Sequence, residues 1–304
     1  MIAGIASGPD DRRHVPLVRT DRAGRMDLDD LTRIAREQLA QDAPAPIFAC
    51  ATLGTTSTGA FDDVKAIRDR LDQVSRDLTG KPWDGWLHAD AAWAGAALVC
   101  PEHRHLGAGL EHADSLCINP HKWLLTNFDC DLFWTRSRRD VIAALSLTPE
   151  YLRNDASERG DVIDYRDWQV PLGRRFRALK LWFVLRMYGL DALRAHIRRH
   201  VALAEWLEAK IAQDDRFELA APRSLALVCL RLRAGDDATA ALLERVNATG
   251  EVFLSHTRLP TSGDGPGAYV IRVAIGATLT ARAHVEALWR LLCAEADAVL
   301  GSPP

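Results

Sequence analysis

The feature that most restricts how this chain can fold is an alternation of short apolar runs with an amphipathic helix in its first half. Residues 46–52 (PIFACAT) are apolar and short, which predicts a buried strand. Two residues later comes the polar turn GTTSTGAFDD. From Asp62 onward, Val64, Ile67, Leu71, Val74 and Leu78 recur at three- and four-residue spacing with charges between them, so a helix is predicted over 62–78 with Asp62 or Asp63 near its start. The linker TGKPWDG leads into a second strand, WLHAD, ending at Asp90, and further strands are predicted at 115–118 and 130–135. Strand, helix, strand with apolar strands predicts a mostly parallel sheet covered on both faces.

The second half reads differently. Residues 151–161 (YLRNDASERGD) are polar and poor in packing side chains, which predicts a mobile loop. Residues 175–213 carry a helical pattern interrupted near Tyr188 and Gly189, and its Phe176, Leu179, Trp182 and Phe183 are expected to pack. Predicted strands at 225–232, 252–256 and 269–275, with helices at 238–247 and 281–300, make a compact α+β unit. The fold class is therefore α/β, with a smaller C-terminal α+β domain.

Composition removes several functions. With 38 basic against 41 acidic residues, the chain lacks the basic footprint of a nucleic-acid binder. At 48% hydrophobic it has ample apolar surface to bury, which excludes disorder as its main state. The most apolar stretch, residues 91–100, is about half a membrane span, so no membrane partner is expected. The opening residues have no positive region and too short an apolar run for a signal peptide. Six cysteines without a C-x-x-C pair, most of them inside apolar strand-like runs, predict buried thiols in a reducing cytosol, with neither a disulfide framework nor a zinc site. His103, His105 and His112 crowd one segment but lack the spacing of a zinc helix.

Chemistry concentrates at two strand ends. Asp90 closes WLHAD where open α/β sheets bind ligands, outside the carboxyl ends of the strands. A carboxylate there either pairs with a cation or caps the segment that follows. Only five of the 38 basic residues are lysines, so lysine chemistry has few candidates. Lys65 and Lys210 fall on helices, Lys81 in a Gly-Pro loop and Lys180 among arginines. Lys122, in CINPHKWLL, is followed by an aromatic and two aliphatic residues outside an evident helix. An apolar setting would favour the neutral amine that forms Schiff bases, while the alternative is a lysine snorkelling from the core. The run GTTSTG lacks the Lys-Ser/Thr of a phosphate loop, and Arg174, Arg175 and Arg177 read as a solvated or dimer-facing edge. Arg272 could meet a substrate carboxylate or form a structural ion pair.

Four motifs in order, HADAAWAG, NPHKWLLTNFDCDLFW, LTPEYLRN and DYRDWQVPLGRRFRALKLWFVLRMYG, make the chain resemble the pyridoxal-phosphate-dependent group II decarboxylases, above all those acting on aromatic L-amino acids. The likeness runs from about Phe48 to about Leu300. It implies a fold-type I, transferase-like large domain, present in part over residues 1–178, and a small domain over 179–304. By the same resemblance, Lys122 corresponds to the lysine that holds pyridoxal 5'-phosphate as a Schiff base. Asp90 corresponds to the carboxylate paired with the pyridine nitrogen, and Ala92 to the small residue packed against the ring. Thr56 matches a hydroxyl near the phenolic oxygen, and Asn119 and His121 match residues around the phosphate and the lysine.

Tyr151 matches the tyrosine of a mobile catalytic loop that reaches the partner subunit's active site. The resemblance thus implies a homodimer with shared sites. The implied reaction is non-oxidative decarboxylation of an L-amino acid, with Tyr151 returning a proton to Cα. Two departures stand beside it: family members carry a long region before the stretch matching Met1, including a ring-stacking histidine and a phosphate-cradling loop, and TGKPWDG lengthens the connection before Asp90. The alternatives are an inactive truncated chain, or an aromatic aldehyde synthase on the same scaffold, whose relatives typically carry phenylalanine at the position of Tyr151.

Overall fold

The computed structural model describes residues 11–40, 47–146, 155, 159, 161–260 and 267–301. The predicted loop at 151–161, with Tyr151, therefore lies outside the described residues except for positions 155, 159 and 161.

The helix expected after the first strand forms as α2 (Val64–Thr79). Asp63 is its cap, accepting from the Ala66 N–H at 2.9 Å, and Gly80 closes it in the left-handed region at φ 75°. Asp62 does other work: its carboxylate accepts from the N–H groups of Met26 and Thr52, at 2.6 and 2.7 Å, pinning the end of β1 (Phe48–Thr52) to the preceding segment. A helix not foreseen in the sequence, α1 (Leu28–Ala40), packs beside α2 through Leu31 and Ala35.

The first sheet has the order β1, β2 (Trp86–Asp90), β3 (Ser115–Ile118), β4 (Leu132–Thr135). The first three strands are parallel and β4 runs antiparallel to β3. One face, with Ala51, Leu87 and Ala89, is buried together with Leu31, Ile67, Leu71 and Val74 of the two helices. The opposite face departs from expectation. Phe48 and Phe133 are about half exposed, Cys50 is exposed, and His88 stacks with both phenyl rings at centroid distances of 6.3 and 6.2 Å. Apolar strand residues signal that a face suits burial, but covering it takes a second layer, and α1 and α2 supply only one.

Short α3 (Pro120–Trp123) and α4 (Arg138–Leu145) flank β4 in sequence. Then α5 (Arg177–Ile211) runs for 35 residues, broken at Gly189 (φ 71°, ψ 168°) where the sequence predicted an interruption. Beyond the break Leu193, Ile197, Ala204 and Leu207 are buried. Before it Phe176, Leu179, Trp182 and Phe183 are 45 to 75% exposed, contrary to the packing expected of them. Their helical spacing is real, but no described element lies against that stripe.

The second sheet is antiparallel throughout, in the order β5 (Phe217–Leu219), β6 (Leu227–Leu232), β8 (Ala268–Ala274), β7 (Ser255–Leu259). The strand predicted at 252–256 is displaced toward the C-terminus, and α6 (Asp236–Ala248) and α7 (Arg282–Gly301) form where helices were expected. One core unites these elements with the site-bearing segments: Ala94, Ala96, Cys100 and Trp123 share a buried cluster with Ile197, Phe217, Leu230 and Ile271. The turn after β1 is tied to the second sheet as well. The Ser224 hydroxyl donates to the Gly59 carbonyl at 2.6 Å, and Ser57 Oγ lies 3.1 Å from Thr257 Oγ1. Among the described residues, no helix is long and apolar enough to cross a membrane.

Candidate active site

Asp90 ends β2, and the chain turns at once. Its Oδ1 accepts from the Ala92 N–H at 2.9 Å and faces the Cys117 thiol at 3.6 Å. The local capping role is thus present, yet it uses one oxygen; Oδ2 has no hydrogen-bond partner among the described residues. Burial, and then the neighbouring Asp90 charge, push the Cys117 thiol up to about 12, so it stays a neutral donor.

The neighbouring strand delivers Lys122. Asp90 and Cys117 are paired across β2 and β3, and the Ala91 N–H donates to the Cys117 carbonyl at 3.1 Å. Past the end of β3, the Asn119 N–H donates to the Ala92 carbonyl at 2.9 Å. The chain then enters α3, where the fixed φ of Pro120 suits the first helical position. Lys122 therefore lies on a four-residue helix, whereas the sequence suggested none, and its side chain is exposed instead of apolar-lined. Its amine forms no hydrogen bond or ion pair with a described residue. By contrast Lys65 is bonded to Asp69, Lys180 to the Asn127 carbonyl, and Lys210 lies over the Trp206 ring.

His121 is held by the loop that returns to β4. Its Nδ1 lies 2.7 Å from the Cys130 carbonyl oxygen and 3.1 Å from the Cys130 nitrogen, so backbone fixes the ring in either tautomer. Phe128 meets it edge-on at 4.9 Å. The sequence reading missed Asp131, just before β4. Burial raises its pKa, and the Asp90 carboxylate adds to that rise while Lys122 opposes it. The alternating acids of FDCDLF were the available signal.

Asp90, Ala92, Asn119, His121 and Lys122 thus share one rim of the sheet. Thr56 is exposed in the turn after β1, on the same rim, while Tyr151 is outside the described residues. Arg272 lies on β8 and donates to Ser255 Oγ at 3.0 Å, with no ion pair to a described residue. Among the described residues no cluster of side chains could hold a metal ion. An unpaired primary amine can condense with an aldehyde, a carboxylate with a spare oxygen can hold a protonated ring nitrogen, and an alanine leaves room for a flat ring. That donor set suits a pyridoxal cofactor.

Residues 12–233 match the family described as the pyridoxal-dependent decarboxylase conserved domain. Tryptophan decarboxylase 2 of Oryza sativa subsp. japonica is 48% identical over 263 residues, covering 84% of this chain and 50% of that protein. Phenylacetaldehyde synthase of Arabidopsis thaliana is 44% identical over 276 residues, 87% of this chain and 53% of that protein. A crystal structure of Oryza sativa TDC with PLP and tryptamine superimposes with a TM-score of 0.85 at 38% identity, covering 95% of this chain and 58% of that one. The chain spans about half the length of the curated relatives it matches.

Proposed function

The chain belongs to the pyridoxal-dependent decarboxylase family, and from that premise we propose that it carries the lysine and carboxylate of a pyridoxal-phosphate-dependent decarboxylase of aromatic L-amino acids. The observation that carries this reading is the placement, past the ends of neighbouring parallel strands, of a Lys122 amine without a partner among the described residues and an Asp90 carboxylate with one oxygen engaged, their segments joined through the Asn119–Ala92 hydrogen bond.

When bound, the cofactor supplies an electron sink for the pair released at Cα as CO2 leaves. Lys122 would hold the aldehyde carbon and give it up to the substrate amine. Asp90 Oδ2 would accept the ring N–H while Oδ1 stays fixed by Ala92, keeping the proton at that nitrogen. Ala92 would leave the ring face unobstructed, with Thr56, Asn119 and His121 around the remaining polar groups. Tyr151 is proposed as the donor of the proton to Cα, in keeping with amine formation instead of aldehyde formation.

A homodimer with shared sites completes the reading, supported by the apolar stripe on the first half of α5. Phe176, Leu179 and Phe183 of that stripe, with Asp129, Arg175, Arg177 and Lys180, line a depression of about 290 Å³. The division at 178/179 into a large and a small domain, and a cytoplasmic location matching six free thiols, belong to the same proposal.

Borohydride reduction after incubation with pyridoxal phosphate, followed by peptide mapping, tests it. The label is expected on Lys122, and L-tryptophan or L-tyrosine should yield CO2 and the amine without oxygen uptake. A label elsewhere overturns the site, and aldehyde with oxygen consumption overturns the reaction.

A further inference from the structure

The segments bearing Asp90 and Lys122 converge on a stack of three rings, of which Trp123 and His200 are buried and Trp93 is half-buried. Trp93, just after Ala92, stacks on Trp123, just after Lys122, with centroids 5.0 Å apart and planes within 16°. On α5, His200 lies nearly parallel to Trp123 at 6.4 Å and is fully buried. The Trp123 indole N–H donates to His200 Nδ1 at 3.0 Å. An indole nitrogen only donates, so Nδ1 is the bare nitrogen and the proton sits on Nε2. That Nε2 has no hydrogen-bond partner among the described residues, and neither does Nε2 of His196, whose ring meets His200 edge-on at 4.2 Å.

A buried donor without an acceptor is destabilising, because it gives up water and gains no partner. An apolar side chain would fill the same space without that cost. A histidine here is therefore explained by its one engaged atom, the acceptor for Trp123. The turn it reaches is weak by itself. Helix α3 is one turn long, closed by the Lys122 N–H to Asn119 carbonyl and Leu124 N–H to Pro120 carbonyl bonds, at 2.9 and 3.0 Å. So short a helix does not hold its own geometry.

We propose that His200 is a positioning residue for Lys122: by accepting the Trp123 indole proton it fixes α3 against Trp93, and so sets the lysine in register with Asp90. This rests on the reading of Lys122 and Asp90 as the cofactor-binding pair. The test uses H200L, which removes the acceptor, H200N, whose Oδ1 takes the place of Nδ1, and W123F, which keeps a ring and removes the donor. Each is measured in the full chain by hydrogen exchange of the 119–124 amides, with the β6 and β8 amides as the folding control.

In H200L and W123F, exchange over 119–124 should be about tenfold faster or more at unchanged β6 and β8 protection, and H200N should stay within about threefold of the parent. The dissociation constant for pyridoxal phosphate should follow the same order. Unchanged protection at 119–124 in a folded H200L or W123F overturns the proposal, as does an H200N as loose as H200L. A parent chain that takes no cofactor on Lys122 instead overturns the functional reading, while the exchange data still decide whether His200 fixes the turn.

Discussion

The Asn119 N–H donates to the Ala92 carbonyl at 2.9 Å, joining the turn that follows Asp90 to the turn that precedes Lys122. The two chemistry-bearing residues are 32 positions apart in sequence, yet one backbone bond sets their segments against each other. Parallel strands make this possible, because both chains leave the sheet at the same end.

Replacing Asp90 by Asn should separate charge from scaffold. Asn keeps an oxygen for the Ala92 N–H, so thermal stability should hold, while the anion for the ring nitrogen is lost. The cofactor dissociation constant is expected to rise on the order of a hundredfold, the ~3 kcal/mol scale of breaking a desolvated charge pair. Cofactor titration by absorbance checks it, and D90N binding as tightly as the parent would contradict the assignment.

Gly54 → Ala should destabilise the turn after β1. Gly54 sits at φ 84°, and an added Cβ would come within 2.4 Å of the Ala94 Cβ, in the segment following Asp90. Strain and overpacking together are expected to cost about 1–3 kcal/mol, read as a lower urea midpoint. An unmoved midpoint would show that the turn can relax freely.

Acid should weaken the chain through His200. Burial, reinforced by His196 and Arg199, lowers its pKa from 6.5 to about 4. Between those values the unfolded state binds the extra proton, so the stability is intact above about pH 6.5 and is lost as pH falls toward 4. The loss is about 3 kcal/mol. Urea unfolding across this window should show the slope in the parent and a flatter profile in H200N; equal slopes would assign the effect elsewhere.

Charges placed in the stripe on α5 should dissociate the proposed homodimer. Trp182 and Phe183 are 53 and 57% exposed, so W182E with F183E removes no core contact. Sedimentation should move from dimer to monomer at an unchanged far-ultraviolet spectrum. A parent that sediments as a monomer would remove the basis for this use of the stripe.

Much of this was legible in the residues. The spacing of Val64, Ile67, Leu71 and Val74 fixed α2, because a helix face repeats within a few residues. The interruption at Gly189 was visible for the same local reason. Asp90 and Lys122 were recognisable from their motifs. Asp131, Trp93, Trp123 and His200 were not, because each matters through a neighbour distant in sequence: His200 is 77 residues from Trp123.

Sequence by itself determined the element types, the family and the two residues that could carry its chemistry, since these depend on local periodicity and on side-chain kind. Tertiary structure decided what surrounds them. Among the described residues it left one face of the first sheet and the front of α5 exposed, exposed Lys122, and placed a buried histidine behind its turn. Exposure and ring stacking depend on which segments meet, and residue order alone does not state that.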